Sequence, residues 1–258
     1  MNAVRFLAEW GLRSGALILF GGFLLWALRV KDSSVRLAAW TAILLGSLLI
    51  PMMSVTLPKV SIRVMPAARL PVTAAASDEV VQDSFVAGSR HETAAKPTVS
   101  RTSAPLDWGL LTLAIYGSIA FVLLVRLLIG MVLTFRILRR SRTTGQMTGG
   151  IEIRESEDVA APVTLGILHP AIMLPVDWIE WEHGKLEAVL AHERSHVRRH
   201  DPAVQLISAI HRALLWHNPL SWFLHLQIVS SSEDASDDAA VAVTTDRVSY
   251  AEVLLDFM

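Results

Sequence analysis

Three apolar runs, each long enough to cross a lipid bilayer, constrain this chain more than any other feature. Gly15 to Val30 is almost uninterrupted in apolar residues and, extended back to Leu12, reaches the ~20 residues that a spanning helix needs. Leu37 to Val55 is a second run, closed by Pro58, and Trp108 to Leu133 is a third, interrupted only by Arg126. The composition agrees: 52% of the 258 residues are hydrophobic and the mean hydropathy is +0.45, above what a soluble globule carries. A cleaved signal peptide would explain only the first run. Against it, Glu9 and Arg13 precede the apolar core, and Arg29-Val30-Lys31-Asp32 follows with no small-residue cleavage site. The expectation is therefore three retained transmembrane helices, at about 12–30, 37–55 and 107–135.

The short flanks orient these spans. Arg29, Lys31 and Arg36 lie between the first two, and Arg136, Arg139, Arg140 and Arg142 follow the third, so both basic flanks are expected in the cytoplasm. This places the N-terminus outside. It also places 58–106 outside, where Ala, Ser, Thr, Val and Pro without a sustained period suggest a disordered linker. Residues 136–258 are then a cytoplasmic domain. The formal net charge of -1 implies no nucleic-acid partner.

Within 136–258, Ile151 to Arg154 alternates like a strand, and Pro162 to Leu168 and Ala171 to Leu174 are short β-prone runs, so a small sheet is expected. Lys185 to Arg199 carries Leu186, Val189, Leu190 and Val197 at helical spacing. Asp201-Pro202 and Asn218-Pro219 each read as a cap followed by a first-turn proline, which starts two more helices. The Ala203 to Val229 stretch is apolar but broken by His211, Arg212, His217, Asn218, Pro219, His225 and Gln227. It is expected to form two helices at the membrane surface rather than a crossing.

His192-Glu193-Arg194-Ser195-His196 supplies the chemistry. Side chains four apart share a helix face, so both imidazoles reach one metal ion while Glu193 stands where it deprotonates a water beside that ion. With no cysteine in the chain, thiolate ligands and thiol catalysis are excluded. A catalytic zinc takes three protein donors, and Glu233 is the candidate for the third. Its partner at i+4, Asp237, is placed to hydrogen-bond an imidazole N–H behind the ligands. A plain solvated acidic stretch is the competing reading of Ser230 to Asp238. It loses weight once the His-Glu-x-x-His lies upstream.

The runs APVTLGILHPAIMLP, LEAVLAHERSHVRRHD, LLWHNPLSW and SEDASDDAAV resemble, in order and spacing, the membrane metallopeptidase domain of the BlaR/MecR β-lactam sensor-transducers. The resemblance covers most of Arg136 to Val243 and extends to the three spans. It implies a mostly α membrane protein with an α+β, zincin-like, gluzincin-type domain, with one Zn²⁺ held by His192, His196 and Glu233 and with Glu193 as catalytic base. It also implies a zinc endopeptidase of a bacterial inner membrane that cleaves itself or a cytoplasmic repressor, an antirepressor in antibiotic-resistance regulation. Ser236 stands where many relatives have cysteine. The receptors continue through a further span to an extracellular sensor, so the chain is expected to be truncated at its C-terminus. Two alternatives are a membrane quality-control metalloprotease of the HtpX type and a catalytically idle membrane adaptor.

The oxyanion of such a reaction needs another donor, and His200, His217 and Tyr250 are candidates that the sequence does not rank. The Val163 to Leu174 region is a candidate edge for pairing with an extended substrate, or equally plain sheet core. His91, His169, His183, His211 and His225 have no partner at ligand spacing and are read as turn, surface or packing residues.

Overall fold

Nothing from Ala3 onward interrupts a helix, and an Arg5–Glu9 pair at i, i+4 (2.8 Å) supports the first turns. Helix α1 (Ala3–Ala27) consequently starts well before the apolar run and stops short of Val30. The computed structural model describes residues 3–56 and 107–243; the expected 58–106 linker and Tyr250 lie outside the described residues. Arg29 turns the chain with φ of 49°, and the Asp32 carboxylate accepts from the Val35 N–H (3.0 Å), capping α2 (Ser33–Thr56). The two helices approach closely through small residues. A Cβ added at Gly22 would stand 3.2 Å from the Trp40 ring, and one at Gly21 only 2.3 Å from the Ile43 methyl group.

Helix α3 (Trp108–Arg140) runs past the expected end near 135. Arg136, Arg139 and Arg140 ride on its last turns instead of following it. Arginine is a good helix former, its charge suits a helix C-terminus, and no Gly or Pro lies between Met131 and Ser141. All three helices are long and apolar enough to cross a membrane. The outer faces of α1 and α3 carry Phe20, Phe23, Trp26, Phe121 and Val122 at 62–74% exposure, a surface suited to lipid and unfavourable in water.

A four-stranded sheet comes next, in the order β1-β2-β4-β3: β1 (Arg142–Thr148), β2 (Ile151–Glu155), β3 (Val163–Leu165) and β4 (Ala171–Leu174). Strand β1 is absent from the sequence expectation, because RTTGQMT is polar and forms an exposed edge. Its signal is the Gly149-Gly150 pair. Both adopt positive φ (56° and 84°), the two-residue hairpin turn that joins β1 to β2 in antiparallel register. Strand β4 lies parallel to β2 and antiparallel to β3. Ile151, Ile153, Ile172 and Leu174 form one buried face, closed by Val189 with Leu186, Leu190 and Val197 of α4 (His183–Arg199). The apolar stripe read in the sequence is thus the sheet-facing side of α4.

Of the last two helices, the first differs from expectation at its start. The N-cap of α5 (Asp201–Leu214) is His200, in the left-handed region at φ 58°, and Asp201 is already helical. Asp201 is 2% exposed, and its carboxylate turns to His196 and Arg199 rather than capping. Asn218, by contrast, caps α6 (Pro219–Val241) as expected, accepting from Leu220 N–H at 3.0 Å. Helices α5 and α6 pack on the long helices: Leu224 and Ile228 share a buried cluster with Ile18, Leu37, Trp40 and Leu44 of α1 and α2. The polar residues that break the hydropathy of this stretch find partners there. Ser47 donates to Ser14 (2.8 Å) and accepts from His211 Nε2 (2.7 Å), while Asn218 Nδ2 donates to the Gly11 carbonyl (2.9 Å). Each pair offsets part of the cost of burying these polar groups among apolar helices.

Candidate metal centre

Helix α4 presents one face to the sheet and the other to α6, and the second face carries His192 and His196 one turn apart. Their Nε2 atoms lie 3.2 Å from each other, and Glu233 Oε2 lies 3.7 Å from both. Ligand atoms of His192, His196 and Glu233 all fall within 4.8 Å of one another, a group able to hold a metal ion. Four-coordinate tetrahedral ligation at about 2.05 Å requires ligand atoms about 3.3 Å apart, so this donor set fits zinc in number, chemistry and spacing. The histidine side chains are 16% and 11% exposed and that of Glu233 51%, leaving the centre open on its α6 side.

The remote ring nitrogens are also engaged. His196 Nδ1 donates to Asp201 Oδ2 (2.8 Å), and His192 Nδ1 lies 3.1 Å from Asp237 Oδ1. Carboxylates only accept in their ionised form, so each ring, once neutral, turns its Nε2 lone pair toward the shared centre. Burial disfavours a charged His192, but contacts with Asp237 and Glu233 and the nearby Glu193 carboxylate outweigh it and push the pKa up to about 9. The contact with His192 holds the Glu233 carboxyl below its ordinary value, against the opposing effect of burial.

Arg199 ties the assembly together. Its Nη2 contacts Asp201 Oδ2 (2.7 Å), the Ser232 carbonyl (3.1 Å) and Ser236 Oγ (2.6 Å), and Nη1 contacts Ser195 Oγ. One guanidinium thereby joins the end of α4, the start of α5 and the acidic stretch of α6. Ser236, a departure from the resembled family, serves as an acceptor in this network.

Glu193 is buried at 7% exposure. The Thr164 hydroxyl of β3 lies 2.8 Å from Glu193 Oε2 and 3.1 Å from the Glu193 carbonyl, fixing the carboxylate against the edge strand. His192, His196, Glu233 and Asp237 are therefore brought together, with the Glu193 carboxylate close enough to act on the charge of His192. Asp201, Arg199 and Thr164 were missed. Asp201 was legible only as a cap, and Thr164 carries no motif that links it to Glu193.

The oxyanion candidates fare differently. His217 packs against Tyr116 with ring centres 5.6 Å apart, beside Gly11. It precedes the start of α6, which lies about 21 Å along the helix from Glu233. His200 is exposed at the α4–α5 junction. His211 and His225 are packing residues, bonded to Ser47 and Ser208 (both 2.7 Å).

The family model described as BlaR1 peptidase M56 matches residues 31–258. The regulatory protein BlaR1 of Bacillus licheniformis is 32% identical over 102 residues, 38% of this chain and 17% of that protein. The methicillin resistance mecR1 proteins of Staphylococcus aureus and Staphylococcus epidermidis are 24% identical over 108 residues, 41% of this chain and 18% of theirs. These matches span less than a fifth of each relative's length. With the family match covering most of the sequence, the chain belongs to the BlaR1 peptidase M56 family.

Proposed function

We propose that the chain is an integral-membrane, zinc-dependent endopeptidase whose catalytic centre faces the cytoplasm, and that it acts in signalling by cleaving itself or a cytoplasmic repressor. The observation that carries this reading is the convergence of His192, His196 and Glu233 beside the buried Glu193. Zinc, when bound, supplies a Lewis acid that polarises a peptide carbonyl and makes water nucleophilic near neutral pH. Glu193 takes the proton from the attacking water and returns it to the departing amine, leaving a carboxylate and an amine as products. Thr164 holds that carboxylate in place, and Asp201 and Asp237 hold the imidazoles in the tautomer that ligates. Strand β3 ends the sheet order beside this centre. An extended substrate pairing with its outer edge would lie across Glu193.

The orientation follows from charge. Arg29, Lys31 and the arginines at the end of α3 favour the cytoplasmic side. Arg36 also lies 3.6 Å from Asp234 beside the metal cluster, which supports a centre at that same end. The names of the relatives, a regulatory protein and a methicillin-resistance protein, favour signalling over quality control. Co-expression with a repressor tests the reading. Cleavage is expected with the wild-type chain and not with Glu193→Ala, and equal cleavage by both would refute it.

A further inference from the structure

Helix α6 presents three polar rows between Ser232 and Asp238. Glu233 and Asp237 face the histidines, and Ser232, Ala235 and Ser236 meet Arg199. Asp234 and Asp238 form the third row, turned about 100° from the ligand row, and face the first turn of α2. There Ser33 Oγ donates to Asp238 Oδ2 at 2.6 Å, and Arg36 Nη2 lies 3.6 Å from Asp234 Oδ2. The structure assigns Ser33 and Arg36 as positioning residues for the metal centre, acting through Asp234 and Asp238 to fix the rotation of α6 that brings Glu233 to the histidines. This rests on the proposed reading of the centre as a metal site.

The physical need is rotational. Side-chain atoms stand about 5–6 Å from a helix axis, so a 20° turn of α6 displaces the Glu233 carboxylate by about 2 Å. Metal–ligand distances tolerate only about 0.2 Å. The apolar contacts of Leu224 and Ile228 with Trp40 and Leu44 hold α6 against α2, but apolar packing is non-directional and resists such a turn weakly. The hydrogen bond from Ser33 is directional, made to a carboxylate and partly buried, with Ser33 itself 6% exposed. Arg36 and Asp234 are 31% and 47% exposed, so that pair adds less. Asp32 caps α2 next to Ser33, so these contacts are anchored to the α1–α2 turn. Movement of α2 therefore reaches Glu233 through these contacts with α6.

The test uses the full chain in lipid nanodiscs, wild type against Ser33→Ala, Arg36→Ala and the double variant. Zinc affinity is measured by competition with a chromophoric chelator, and coordination by the visible absorption of the Co²⁺-substituted protein. The double variant is expected to bind zinc about three- to tenfold more weakly, less than loss of a direct imidazole partner, with a shifted Co²⁺ spectrum. Arg36→Glu should weaken binding further, and Asp234→Arg added to it should restore most of the loss. If the double variant does not fold, Ser33→Ala carries the same two readouts. Wild-type affinity and spectrum in folded variants would overturn the assignment while leaving the metal site standing. Equal zinc binding by the wild type and His196→Ala would overturn the metal site and the assignment with it.

Discussion

The two ends of α6 solve the problem of buried polarity in opposite ways. At the Asn218 end, neutral groups meet neutral partners, His211 with Ser47, Ser47 with Ser14 and Asn218 with the Gly11 carbonyl, while His211 Nδ1 and Trp216 Nε1 have no hydrogen-bond partner among the described residues. At the Asp238 end, charged groups crowd together: two imidazoles, four α6 carboxylates and a guanidinium linked to Asp201. Neutral pairs suit a region flanked by apolar helices, where an unpaired charge costs most. The charged end is half exposed and shaped for a cation. One helix thus joins a neutral, apolar region to a charged cluster able to hold a metal ion.

The largest effect should come from breaking the charged end directly. His196→Ala removes a donor from the centre and is expected to abolish stoichiometric zinc binding, read by elemental analysis, while α5 and α6 stay packed on α2. Next in size is Asp201→Asn, which keeps the shape but weakens the acceptor behind His196. Zinc affinity should fall by about 10- to 100-fold in a chelator competition. Third is pH. In the metal-free protein His192 keeps its proton up to about 9, and zinc must displace that proton to bind. Affinity should therefore rise with pH, by up to about tenfold per unit, and level off above about 9; a fall with rising pH over that range would contradict the assigned environment of His192. The smallest effect belongs to the neutral end. Ser47→Ala should lower stability by about 1 kcal/mol in a detergent melt and leave zinc content unchanged. Loss of zinc in that variant would mean that the two ends are less separable than their chemistry suggests.

Legibility in the sequence divides along the same line. His192, Glu193 and His196 were readable because one helical turn relates them, and Glu233 with Asp237 because an i, i+4 acidic pair is equally local. The sheet face of α4 was readable from its periodicity. Asp201 was misread because Asp-Pro looks the same whether the carboxylate caps its own helix or turns back to His196. Thr164 and Arg199 act across the chain, the first 29 positions from Glu193 and the second 37 from Ser236, and no local pattern reports such partners. The partners of His211 and Asn218 were hidden for the same reason, since Ser47 and Gly11 lie 164 and 207 positions away.

The central claim is that the charged end of α6 and the motif of α4 form one zinc-dependent hydrolytic centre. Glu193→Ala in the purified full chain, assayed together for metal content and for cleavage of itself or a repressor, tests this most directly. Zinc at parity with protein and cleavage slowed by about 10³-fold are expected. Undiminished cleavage, or a wild-type chain that takes up no zinc, would contradict it.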